Sequence, residues 1–271
     1  MPRSILFLST LCLLTAVALA GTNRDAEILL RAQQLQLEYR QGNTQVVEPL
    51  VKSLEDAVAR SPDNAALWAA LGHAYMSMQG TIMGTGPDVP KMLAVGERAQ
   101  QAYARSLALE GNNPLIRASH GMASLVVAQF KGDGPGMAAA VEEMNAAVRA
   151  APKSHGPRLT RAFTIIHLPL AMRDTDAVIE DINFLLDTAP GGRAEDVLHV
   201  MLGDVHAEMG RPDAARAEYV QVNGDSAFAA SQAKLRQADL EKGSIPPASI
   251  AMVRAGTGTR CAMCHAPGTD R

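Results

Sequence analysis

Two cysteines and a histidine stand together near the end of the chain, in Cys261-Ala262-Met263-Cys264-His265. Thiols at this spacing lie one helical turn apart, so both can add to the vinyl groups along one edge of a porphyrin, and the imidazole that follows can reach the iron. This is the covalent attachment pattern of one c-type haem, with Cys261 and Cys264 as thioether carriers and His265 as an axial iron ligand. Two further chemistries stay open at these residues: a transition-metal or thiol-redox tail, and a plain Cys261–Cys264 disulfide of the kind an oxidising compartment forms.

The first twenty residues point to that compartment. Arg3 precedes an apolar run from Ile5 to Val17, and Ala18-Leu19-Ala20 supplies the small-x-small pattern of a signal-peptidase site. Cleavage is expected after Ala20, with delivery to the periplasm. Cys12 follows Leu11, where a lipoprotein signal would place a small residue, so lipidation is not expected there. The run is short for an uncleaved anchor, and no transmembrane segment is expected in the mature chain. Cleavage removes Arg3 and no acid, which leaves 24 of the 25 basic residues against 28 acidic ones and a formal charge of −4. A mildly acidic exported chain without a Lys/Arg cluster suits neither nucleic acid nor an anionic membrane surface.

What must position the tail is helical. Residues are 47% hydrophobic but only 4% aromatic, and the abundance of Ala and Leu favours close-packed helices over strands. From Asp25 to Glu241, apolar residues recur at i, i+3, i+4 and i+7, with breaks at Gly, Pro, Asn or Asp. In Trp68-Ala69-Ala70-Leu71-Gly72-His73-Ala74-Tyr75 the Trp, Leu, Gly and Tyr keep the spacing of one particular helix type, and Leu202, Gly203, His206, Ala215, Tyr219 and Val222 repeat the frame through two helices. Second-helix patterns recur as Leu50, Leu54, Ala57, Pro62; as Ala140, Met144, Ala147, Pro152; and as Val178, Ile182, Leu185, Pro190.

On these residues the chain resembles tetratricopeptide-repeat (TPR) proteins. The resemblance implies an all-α superhelix of about five degenerate helix pairs over residues 25 to 222, a closing helix from about Phe228 to Glu241, and a groove that docks a protein or peptide. Small residues at the eighth and twentieth repeat positions, Gly72 with Ala99 and Gly203 with Ala215, would let two helices approach closely. The organisation expected is a signal peptide over 1–20, a repeat domain over 21–242, and a flexible linker and haem tail over 243–271.

Two segments depart from the pattern. Between Tyr75 and Ala99 lies an insertion, Gln79 to Pro90, which must loop out or extend its helices; Gly80, Gly84 and Gly86 favour a surface loop there, since neither a preceding strand nor a Gly-Lys-Ser/Thr makes it a phosphate cradle. Pro169 falls in the first helix of the fourth pair and is expected to kink or shorten it. After Glu241, Gly243-Ser244-Ile245-Pro246-Pro247 and Gly256-Thr257-Gly258-Thr259 read as linker.

Only Ala266 to Arg271 follow the motif, whereas a cytochrome c domain continues with several helices and a distant methionine ligand. The tail alone cannot enclose a porphyrin, so a sixth ligand is sought elsewhere. His73 and His167 occupy the ninth repeat position, which the resemblance places on the groove, and Met252 is near in sequence; His199 and His206 replace packing residues and are expected in the core. Met76, Met78, Met83 and Met92 crowd the insertion and read as core filling, with copper binding or an adaptable peptide surface as the other reading.

These residues lead to an exported haem c protein that docks a partner, a redox or envelope complex, and passes electrons. A cofactor-free scaffold, similar in outline to the repeat domains of apocytochrome chaperones, is the alternative. A peroxidase-like activity at an open iron is the enzymatic reading, and no Ser-His-Asp order, paired carboxylates or His-Glu-x-x-His suggests a hydrolase.

Overall fold

The computed structural model describes residues 23–40, 42–85, 88–188 and 191–244. Among them are eleven α-helices and no strand, so the expectation of an all-α chain holds. The helices are α1 (Asn23–Arg40), α2 (Val47–Arg60), α3 (Ala65–Thr85), α4 (Val89–Glu110), α5 (Pro114–Lys131), α6 (Gly134–Ala150), α7 (His155–Ile165), α8 (Thr175–Thr188), α9 (Arg193–Glu208), α10 (Pro212–Gln221) and α11 (Ala227–Glu241). They belong to two compact units, one ending at Ala151 and the other beginning at Pro152.

In the first unit each helix packs on the next, and α3 also packs on α1 and on α5. The starts are written in short polar side chains that satisfy otherwise orphaned N–H groups. Asn64 Oδ1 accepts from the Ala66 and Leu67 amides ahead of α3. Asp88 accepts from Lys91 N, Asn113 from Leu115 N and Ile116 N, and Asp133 from Gly136 N, each with a proline in the first turn of the helix that follows. Asn64 also donates to buried Asp25 at 3.1 Å, which ties the start of α1 to the start of α3. α5 ends at Gly132, whose φ of +66° puts it in the left-handed region and lets its N–H reach back to the Ala128 and Gln129 carbonyls.

The packing face of α2 shows why the helices must stack. Val47, Leu50, Val51, Leu54, Ala57 and Val58 are all buried, at the i, i+3, i+4, i+7 spacing of one stripe. Gly72 on α3 lies so close to the Tyr103 ring of α4 that an added Cβ would come within 2.6 Å of it, and at Gly121 on α5 a Cβ would come within 2.8 Å of Met144 on α6. Tyr103 is fully buried in consequence.

The Gln79–Pro90 segment is not a surface loop. α3 runs on through Thr85 and α4 begins at Val89, so the insertion lengthens two adjoining helices. Packing overrides the low helix propensity of Gly80 and Gly84. Gln79 and Ile82 are buried, Gln79 Nε2 donates to the Met92 carbonyl at 3.1 Å, and Met76, Met78, Met83 and Met92 all join the apolar core of this unit.

In the second unit α7 packs on α8, α8 on α9, α9 on α10, and α11 on both α9 and α10. Gly203 on α9 meets the Tyr219 ring of α10 even more closely than Gly72 meets Tyr103. α7 ends at Ile165, short of Pro169, whose extended backbone (φ −51°, ψ 143°) leads into a 3₁₀ turn at Leu170–Met172. The shortening expected from the proline is present.

Ion pairs cross the interior of this unit. Asp181 of α8, fully buried, accepts from Arg158 Nη1 at 2.7 Å and from Arg161 Nε and Nη2 at 2.7 and 2.9 Å, all on α7. Two carboxylates of α9 hold α11. Asp196 accepts from the Asn223 and Ser226 amides at 2.8 and 2.7 Å, and Asp204 pairs with Arg236 while accepting from Tyr219 Oη at 2.8 Å. Because Asp196 grips the start of α11 and Asp204 its later turns, α11 runs parallel to α9.

Candidate functional site

Cys261, Cys264 and His265, with Met252 and the leader over residues 1–20, lie outside the described residues. Six histidines lie among the described residues, five of them on helices.

His73, on α3, is half-buried and stands edge-on to the Tyr103 ring, with centroids 5.2 Å apart and an interplanar angle of 79°. It contributes to the α3–α4 seam. His167 is not on a helix, because α7 stops two residues earlier under the influence of Pro169. Its side chain is exposed beside a crowded wall of protein, and that crowding, then the Arg173 charge, lowers its pKa from the ordinary histidine value. The two belong to different units.

The other four histidines are engaged in packing or pairing. His199 and His206, expected in the core, are half-buried on α9. His199 Nδ1 lies 2.9 Å from Glu218 of α10, with Glu195 3.8 Å from its other nitrogen. His206 has Nδ1 enclosed without a hydrogen-bond partner, and burial lowers its pKa against the opposing pull of Glu218 and with the help of Arg211. The reason neither is fully internal is the carboxylate edge of α10, which gives the α9–α10 seam a polar rim. His120 and His155 escaped the sequence reading. His120 of α5 lies 2.9 and 2.8 Å from the two oxygens of Glu143 on α6, and the His155 ring packs on Phe184 at 5.6 Å. The position of His120, one residue before the closely packed Gly121, was the available signal for a place in a helix seam.

The residues after α7 form a distinct feature. Ile166 and Leu168 are buried, and Arg173 is buried with Nη1 donating to the Ile166 carbonyl at 3.2 Å and Nη2 paired with Glu208 of α9. Between these anchors Pro169, Leu170, Ala171 and Met172 are exposed. A second open feature is a shallow depression along α11, lined by Gly224, Ala227, Ala230, Ser231, Lys234 and Leu235.

Among the described residues no three His, Cys, Asp or Glu side chains gather in a way that could hold a metal ion, and no helix is long and apolar enough to cross a membrane. Neither a protein-family model nor a curated protein matches the chain.

Proposed function

We propose that the chain is an exported tetratricopeptide-like protein that carries one covalent c-type haem on its C-terminal tail and docks a protein partner in its repeat groove. The observation that carries the reading is Cys261-Ala262-Met263-Cys264-His265 downstream of an export-type leader. The donor set fits the group: two thiols for two vinyl carbons, and an adjacent imidazole for iron. Cys261 and Cys264 would hold the porphyrin and His265 would bind the metal; the haem, when bound, supplies one-electron transfer.

The repeat reading is supported where the sequence frame is clearest. Gly72 against Tyr103 and Gly203 against Tyr219 are contacts between the eighth and twenty-fourth repeat positions, and Ala99 and Ala215, at the twentieth, are fully buried. Packing of alternate helices α1, α3 and α5, and of α9 with α11, is what stacked pairs require.

The test is native or maturation-competent expression followed by intact mass, a haem stain after denaturing electrophoresis, and a pyridine haemochrome spectrum. One haem retained through denaturation, and lost in Cys261→Ala/Cys264→Ala, is expected. A colourless protein without the added mass overturns the reading and leaves a cofactor-free helical adaptor.

A further inference from the structure

His199 stands between two carboxylates at the seam of α9 and α10. Its Nδ1 lies 2.9 Å from Glu218 Oε2 on α10, and its Nε2 lies 3.8 Å from Oε1 of Glu195, one turn earlier on α9. A carboxylate only accepts, so the contact at hydrogen-bond distance puts the ring proton on Nδ1 and leaves the lone pair on Nε2, the nitrogen beside Glu195. A proton on Nε2 would not bridge to Glu195 either, because 3.8 Å exceeds the reach of an N–H···O bond. Two electron-rich atoms therefore share a gap that a larger cation fits.

The spacing and the donor types agree on which cation. Zinc takes imidazole nitrogen at about 2.0–2.1 Å and carboxylate oxygen at about 2.0–2.2 Å, so two donors at a tetrahedral angle stand about 3.3–3.5 Å apart. Glu195 has 37% of its side chain open to solvent, and a small rotation closes the difference. Positions i and i+4 share one face of a helix, so the α9 backbone brings both donors together before any ion arrives. Glu218 supplies what a metal-ligating histidine ordinarily has on its other nitrogen, a carboxylate that fixes the tautomer and makes the free nitrogen more basic. His120 is the internal contrast. Its Nδ1 is held by Glu143 in the same way, but among the described residues no carboxylate comes within ion-pair reach of its Nε2.

We propose that Glu195 Oε1 and His199 Nε2 bind a divalent ion of the Zn²⁺/Cu²⁺ class, with Glu218 as the positioning residue on Nδ1. Imidazole and carboxylate together suit these ions among the first-row divalent metals. Two protein donors leave the other coordination positions to water, which makes this an open, exchangeable site. It stands independently of the haem reading.

The experiment uses the full-length chain carrying Cys261→Ala, Cys264→Ala and His265→Ala, so that neither haem nor the tail motif takes up the added metal. Zn²⁺ is titrated by calorimetry at pH 7.5, and the histidine ring nitrogens are followed by ¹⁵N nuclear magnetic resonance. One equivalent is expected to bind and to shift His199 Nε2. Glu195→Gln and His199→Ala should each weaken binding at least tenfold, and His120→Ala should leave it unchanged. Glu218→Gln should weaken it about tenfold and move the metal-free His199 ring toward the Nε2–H tautomer, a readout that a merely structural role would not change. Glu195→Gln alters a partly exposed side chain and keeps the test valid if His199→Ala loosens the seam. Failure to bind one equivalent of Zn²⁺ overturns the inference, as does binding that survives Glu195→Gln or is lost in His120→Ala.

Discussion

His206 shows at one residue how this fold balances polarity against packing. Its Nδ1 is enclosed without a partner, and a buried polar atom left unpaired costs about 1–3 kcal/mol. Burial lowers its pKa, so the folded protein favours the neutral ring while the unfolded chain binds a proton near the ordinary value of about 6.5. In that window the unfolded state holds more protons, and stability rises with pH. The stabilisation from a neutral His206 is therefore complete above about pH 6.5 and is lost as the pH falls toward the folded pKa. His206→Phe should gain about 1 kcal/mol at pH 7.5 and more at pH 5, measured by urea unfolding at both values. Equal differences at the two pH values would refute the account. The buried acids Asp181, Asp196 and Asp204 teach a related lesson: each reads in the sequence as one more charge on a helix, and each is internal because its partners arrive from another helix or from the turn before one. Helical periodicity carries no record of such pairings.

At the scale of helices, the close approaches at Gly72 and Gly203 set the geometry of two pairs. A methyl group at either would meet the face of a buried tyrosine ring below 3 Å, so the ring or a helix must move. Gly72→Ala and Gly203→Ala should each cost about 1–3 kcal/mol by thermal or denaturant unfolding. Gly134→Ala, at the first position of α6 with open space around it, should change stability by no more than about 0.5 kcal/mol. If all three behave alike, the tight seams are not what fixes the pairs. The contrast also shows which elements were legible. Trp68 to Tyr75 and Leu202 to Tyr219 announced close seams because glycine and an aromatic at those spacings have few other uses in a helix. The closing helix, expected from Phe228 to Glu241, begins at Ala227, and Pro169 shortened α7 as its missing N–H requires. The insertion misled because three glycines within seven residues look like a loop, while what decides is a buried Gln79 and a run of methionines with a neighbouring helix to fill.

For the molecule as a whole, the residues proposed to carry the chemistry fall outside the described helices that carry the fold. Cys261, Cys264 and His265 form a motif that is legible by adjacency in sequence, whereas the setting of His167 depends on where α7 stops. Removal of residues 245–271 should leave the helical content and melting temperature of the haem-free protein unchanged. Haem-loaded full-length protein would melt above both where the haem binds the folded helices and not the unfolded chain. Calorimetry of the three forms checks this, and coincident melting of loaded and haem-free full-length protein would break the link between haem and fold.

The two units share apolar packing and differ in the charges that cross it. Both units bury aliphatic side chains, and in the second Asp181, Asp204 and Arg173 also carry ion pairs out of reach of solvent between its helices. Cooling weakens hydrophobic attraction, and warming reduces the cost of withdrawing charges from water. Cooling thus acts on both units through their apolar cores, and the buried ion pairs give the second a further contribution whose cost falls on warming.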